Sequence, residues 1–193
     1  MKKLLYFLAL IILISADQIV KALTVLYIDP QNPIVIWKGV FELDYVQNRG
    51  GLFGMFQGAV LILAAVTVVL IILIFYFSKK LPDTKRMLPL RIIGLLIVAG
   101  GIGNLIDRIF RGFVVDTFSF VLINFPVFNV ADCYVTVSMF VFIFLFLFYY
   151  KDEEFDCLFP RKKTVKAVET EISDASEEGD LTKDAEKGEN IGE

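Results

Sequence analysis

Apolar residues run almost without interruption through four stretches of the chain, Leu4–Ile28, Leu52–Phe77, Leu88–Phe110 and about Asn129–Tyr150. A bilayer core about 30 Å thick takes roughly 20 such residues in a helix, so the pattern predicts four transmembrane helices. The opening stretch also has features of a secretory signal, with Lys2 and Lys3 ahead of leucines and Ile14-Ser15-Ala16 as an acceptable cleavage site. Apolar residues resume beyond that site at Ile19, Val20, Leu23, Val25 and Leu26, which favours a retained helix. In the fourth stretch Phe140, Phe142, Phe144, Phe146 and Phe148 alternate with apolar rather than polar neighbours. They therefore predict a lipid-facing helix and not a half-buried strand.

Between the stretches the period changes. Phe41, Leu43 and Tyr45 alternate with Glu42 and Asp44, the period of a half-buried strand, and Ile34 to Trp37 before Lys38-Gly39 supplies a hairpin partner. Residues 113–115 and 118–121 read as extended too. The expected architecture is an all-α membrane protein of four transmembrane helices, with a small exported β-sheet or cradle on the outer membrane surface.

Charge orients it. Short basic flanks collect in the cytoplasm, and here they are Lys2 and Lys3, then Lys79, Lys80, Lys85 and Arg86, then Lys151 and Arg161 to Lys163. The opposite side carries Lys38, Arg49 and Arg111. Both termini are expected in the cytoplasm, with exported loops at about 29–51 and 111–128. The formal charge of −3 is a sum of two unlike parts: residues 1–150 hold 12 basic and 8 acidic groups, residues 151–193 hold 7 and 14. The first part is expected to be the membrane domain and the second an acidic, disordered cytoplasmic tail.

Composition limits the chemistry. The chain has no histidine and two cysteines, Cys133 and Cys157, so Ser-His and Cys-His nucleophile pairs and His-based zinc sites have no imidazole to use. Ionisable residues inside membrane helices are nevertheless present, and such residues mark functional sites by default because their burial is costly. Counted along their helices at 1.5 Å per residue, Asp17 and Lys21 lie in the outer third of the bilayer, as do Asn104, Asp107 and Arg108. Asn48 directly precedes the second apolar stretch, Asn129 and Asp132 open the fourth, and Asp116 follows the third. All the unusual polar groups thus converge on one depth.

Each group also has a plain structural reading. Asp17 and Lys21, four apart on one helix face, can simply neutralise one another. Asp107 with Arg108 can anchor a helix end, Gly100, Gly101 and Gly103 can serve close helix packing, and Cys133 can be packing. Asp116 and Asp132 stand apart, since each lies among apolar residues with no basic neighbour within a turn. Two such acids brought together share a proton, and the pair can act as general base on water and general acid on a leaving amine. A proton-relay transporter or a purely structural role stays open on these grounds alone.

Four blocks occur in order: Asp17-Gln18-x-x-Lys21; Val46-Gln47-Asn48-Arg49-Gly50-Gly51; Gly103-Asn104-Leu105-Ile106-Asp107-Arg108 with Gly112-x-Val114-Val115-Asp116; and Phe128-Asn129-Val130-Ala131-Asp132. The ordered set closely resembles the bacterial lipoprotein signal peptidase family, signal peptidase II, across about residues 10–145. The resemblance implies an intramembrane aspartyl endopeptidase of the bacterial cytoplasmic membrane, with its peptidase domain in residues 1–150 and its active site at the outer face. It implies Asp116 and Asp132 as the catalytic dyad, Asn48, Gly50, Asn104, Arg108 and Asn129 as substrate-binding residues, and Asp17, Lys21 and Asp107 in support. The implied substrate is a diacylglyceryl-modified prolipoprotein, cut just before the lipidated cysteine. No cofactor and no metal are implied. Membrane lipid is the other expected partner, nucleic acid is not one, and the chain is expected to be monomeric. Gly51-Leu52, Thr117 and Cys133 depart from the family's usual residues at those positions.

Overall fold

Four runs of apolar residues do fold as four helices long and apolar enough to cross a membrane. The computed structural model describes residues 2–50, 58–151 and 154. Helix α1 spans Lys2–Tyr27, α2 Val60–Lys80, α3 Leu88–Phe110 and α4 Val130–Phe148. Three strands lie between them: β1 (Ile34–Trp37), β2 (Phe41–Asn48) and β3 (Val114–Phe120), followed by a short 3-10 turn at Val121–Ile123. The chain divides into two units, residues 1–151 and 152–193. The expected solvated tail lies outside the described residues, apart from Lys151 and Glu154.

Side chains of α2 are all at least partly exposed, and Phe140, Phe144, Phe146 and Phe148 of α4 point outward, as expected of helices that face lipid. Burial concentrates instead on α3, the helix that contacts each of the other three. Its glycines explain how. A Cβ on Gly100 would come within 2.5 Å of the Ala131 carbonyl oxygen on α4, and one on Gly103 within 2.5 Å of Asp17 Oδ2 on α1. Gly101 turns a third way, toward Thr67 and Ile71 of α2. Close packing is therefore what these glycines serve, because small residues let helix backbones approach where lipid supplies no hydrophobic drive.

One end of the bundle gathers the chain's first and last described turns with the α2–α3 connection. Lys2 pairs with Asp83 at 3.1 Å, while Arg86 donates to the Tyr149 carbonyl at 2.8 Å and lies over the Tyr149 ring. The opposite end carries the sheet, antiparallel in the order β1-β2-β3. The expected hairpin of residues 34–37 and 41–45 is present, with Gly39 at φ +72° in its turn, a conformation glycine adopts without a Cβ penalty. The two extended pieces after α3 prove to be one strand, so Asp116 sits within β3 and not in a loop.

The second helix differs from expectation. It begins at Val60, not Leu52, because Gly58 at φ +79° cannot continue a right-handed helix backward. Asn48 therefore ends β2 instead of opening α2. The Gly58 N–H donates to the Arg49 carbonyl at 3.1 Å. The Gly51-Leu52 departure lies outside the described residues.

Candidate active site

Asp116 and Asp132 belong to a strand and a helix, and the junction ahead of α4 brings them to one place. On β3, Asp116 faces Val46 of β2, two residues before Asn48. That pairing depends on a bulge between Leu43 and Val46. Without the extra residue Tyr45 would stand opposite Asp116 and Gln47 would share its face; the bulge turns Asn48 onto that face instead. Asn48 Nδ2 then donates to Asp116 Oδ2 at 2.9 Å. The other end of the same amide, Oδ1, accepts the Gly50 N–H at 2.9 Å, which fixes the orientation of the carboxamide. Gly50, expected among substrate-binding residues, is thus engaged through its backbone in holding Asn48.

The other edge of β3 receives the chain entering α4. Thr117 and Phe118 both donate their N–H to the Phe128 carbonyl, and the Phe128 N–H returns to the Phe118 carbonyl. This pairing sets Asn129 beside Asp116, and Asn129 Nδ2 donates to Asp116 Oδ1 at 2.6 Å. Asn129 is also the N-cap of α4. Its Oδ1 accepts the Asp132 N–H at 3.0 Å, while its own N–H donates to Asp132 Oδ2 at 3.2 Å. That reciprocal arrangement is a capping box, which satisfies free N–H groups at the helix start. Asp132 Oδ1 accepts Asn104 Nδ2 of α3 at 2.8 Å.

These two carboxyl groups are held by amide donors, while lysine and arginine partner the other buried acids. Burial pushes the Asp116 carboxyl up to about 7, with the charge of Asp132 adding to the rise against the lowering effect of Asn48, Asn129 and Lys21. Arg108 is half-buried within electrostatic reach of Asp132, Asp116 and Asp107. Among the described residues no trio of His, Cys, Asp or Glu is placed to hold a metal ion.

Behind the pair lies a second layer of charge with no solvent contact. Lys21 Nζ is 3.0 Å from Asp17 Oδ2 and 3.0 Å from Asp107 Oδ2, all three side chains being fully buried. Its third contact is Asn104 Oδ1 at 2.9 Å. Asp17 and Lys21 do pair, as their spacing predicts, but Lys21 is shared with another helix. Asp107 pairs with Lys21 and with Arg111 at 2.8 Å; Arg108, being adjacent on the helix, projects about 100° away from it.

Some contributors escaped the sequence reading. Thr24 is buried and exchanges a 2.7 Å hydroxyl contact with Thr117, tying α1 to β3 beside Asp116. Its position, one turn beyond Lys21 on the face of Asp17, was the available signal. Gln18 bridges Asp17 Oδ2 and the Gly103 carbonyl, both at 3.1 Å. Cys133 is a free, half-buried thiol.

Residues 9–148 match the model of the family described as signal peptidase (SPase) II. The chain is 43% identical over 134 residues to a lipoprotein signal peptidase of Streptococcus pneumoniae, covering 68% of this chain and 84% of that protein. A lipoprotein signal peptidase of Lactococcus lactis is 38% identical over 139 residues, covering 72% and 90%. A solved structure described as a bacterial membrane enzyme, obtained by the in meso method at 2.3 Å, superposes with a TM-score of 0.68 at 25% identity, covering 74% of this chain and 87% of that one. With its four apolar helices the chain is a multi-pass membrane protein, and it belongs to the signal peptidase II family.

Proposed function

We propose that this signal peptidase II works as an aspartic endopeptidase at the outer face of the bacterial cytoplasmic membrane. Its substrate is a prolipoprotein carrying a diacylglyceryl group on a cysteine, and the bond cut is the one before that cysteine. Asp116 and Asp132 are the catalytic pair. The observation that carries this reading is the Asn129 bridge, which holds both carboxyl groups through one residue, while neither acid makes an ion pair among the described residues. Asp116, raised to about 7, holds its proton to a higher pH than an ordinary carboxyl does.

With one proton shared by the pair, the ionised carboxylate takes a proton from water as its oxygen attacks the scissile carbonyl carbon. The protonated partner donates to the carbonyl oxygen. Collapse of the tetrahedral species passes a proton to the amide nitrogen and breaks the C–N bond. The signal peptide leaves with a new carboxyl terminus and the lipidated cysteine with a free amine. Asn48, Asn104 and Asn129 fix the two acids, Arg108 brings positive charge to the site for a polar part of the substrate, and the acyl chains remain in lipid beside the helices. Positioning of this kind supplies orientation, not acid–base work.

The basic flanks support an orientation with both termini in the cytoplasm and the sheet outside. Residues 1–150 form the peptidase domain and residues 151–193 a cytoplasmic extension. A charge relay across the bilayer is disfavoured because all three Lys21 donors are taken up by Asp17, Asp107 and Asn104.

The test is a gel-shift assay on a purified diacylglyceryl prolipoprotein with wild type, Asp116→Asn and Asp132→Asn, each with and without a chelator. Loss of cleavage in both variants, with no effect of the chelator on the wild type, is the expected result. Wild-type cleavage by either variant, or chelator-sensitive activity, overturns the assignment. A reporter fused after Glu193 is expected to be active only in the cytoplasm.

A further inference from the structure

We infer that Lys21 is a positioning residue that sets the separation of the two catalytic acids through the backbone N–H of the residue preceding each of them. The inference rests on the Asp116–Asp132 pair proposed above. Asp17 Oδ1 accepts the N–H of Ala131, the residue before Asp132, at 2.9 Å. Asp107 Oδ2 accepts the N–H of Val115, the residue before Asp116, at 3.1 Å. The two carboxylates therefore grip the chain at equivalent points, one on α4 and one on β3. Lys21 joins them, with its ammonium 3.0 Å from each.

The arrangement is closed. An ammonium has three N–H donors, and those of Lys21 go to Asp17, Asp107 and Asn104. The Asn104 contact turns the amide so that its NH2 end faces Asp132. Ala131 lies in the first turn of α4, where N–H groups have no intrahelical acceptor, so Asp17 supplies one and places negative charge at the positive end of the helix dipole. Arg111 balances the remaining charge on Asp107 at 2.8 Å. Removing the lysine leaves two buried carboxylates facing one another, and the segments they hold move with them. A displacement of about 1 Å at reacting groups lowers turnover by about 100-fold, whereas binding of the substrate's acyl chains and signal helix is untouched.

Lys21→Met is compared with wild type, Asp116→Asn and Asp132→Asn on the same purified lipidated substrate. The expected result is a kcat lower by about 100-fold with KM within about twofold of wild type. Amide hydrogen exchange, read residue by residue on detergent-purified protein, supplies the signature that a general loss of stability does not give. Lys21→Met is expected to speed exchange at both Ala131 and Val115, Asp17→Ala at Ala131 alone, and Asp107→Ala at Val115 alone. Should Lys21→Met fail to fold, the two single-arm variants and Gly103→Ala decide. The last displaces Asp17 without deleting a charge, since its Cβ would meet Asp17 Oδ2 at 2.5 Å, and it is expected to lower kcat and open Ala131. A wild-type kcat in Lys21→Met, or exchange that rises uniformly along all helices in the arm variants, overturns the inference. If Asp116→Asn or Asp132→Asn cleaves at the wild-type rate, the catalytic pair itself falls. That outcome is distinct from dead aspartate variants beside a fully active Lys21→Met.

Discussion

Asn129 donates its side-chain amide to Asp116 at 2.6 Å while the oxygen of the same amide caps the helix that carries Asp132. One residue thus serves both as a helix start and as the link between two acids. Its two duties can be separated by substitution. Asn129→Asp keeps a capping oxygen but loses the donor to Asp116 and adds a third carboxyl group, so it is expected to retain the helix and lose cleavage by more than about 10-fold. Asn129→Ala removes both and is expected to cost about 0.5–2 kcal/mol of stability as well. Thermal unfolding in detergent, paired with the cleavage assay, distinguishes the two outcomes.

A pH dependence follows from Asp116. Its folded value of about 7 lies above the ordinary 3.8, so the folded protein holds this proton more tightly than the unfolded chain. The resulting stabilisation is fully present below about pH 4 and is lost as pH rises toward 7, by up to about 1.4 kcal/mol per unit. Wild-type unfolding temperature is expected to fall across that window, and Asp116→Asn to flatten the slope. Cleavage is expected to decline as pH rises through about 7. Asn48→Leu, which removes a donor that lowers the value, moves the decline to higher pH; a shift to lower pH contradicts the assignment.

Gly100 faces the Ala131 carbonyl so closely that no side chain fits without movement of α4. Gly100→Ala is expected to destabilise by about 1–3 kcal/mol, the usual cost of overpacking. Because Ala131 precedes Asp132, cleavage should fall further than the loss of folded protein explains. Unfolding and activity measured on the same sample check this.

The Thr24–Thr117 pair gives an asymmetric prediction. The Thr24 hydroxyl already donates to the Val20 carbonyl at 2.9 Å, so Thr117 is the donor between them. Thr117→Val leaves Thr24 with its partner and is expected to cost about 0.5–1.5 kcal/mol. Thr24→Val strands a buried hydroxyl and is expected to cost more, about 1–3 kcal/mol. Equal losses in chemical denaturation refute the donor assignment.

Much of the molecule is written along the chain. Apolar run length specifies four spanning helices because the bilayer imposes a length, and the alternation at Phe41–Tyr45 specifies a strand because its side chains fall on alternate faces. Absent histidine and two acids without local cations direct attention to Asp116 and Asp132, and the ordered blocks name the family. These are properties of local sequence, and local sequence suffices to read them.

Other features depend on contacts between residues far apart, and no local pattern encodes them. Asn48, not Gln47, reaches Asp116 because a bulge shifts the register of β2 against β3. Asp107 answers Lys21, 86 positions away, and not its neighbour Arg108. The acids meet at Asn129 because Phe128 pairs with Phe118 and because Asp17 and Asp107 grasp Ala131 and Val115. Residue type and spacing determined which groups the membrane must accommodate. Only the packing of α1, α3, β3 and α4 decided which buried donor meets which buried acceptor, since each such group must find a partner and only the folded chain offers one.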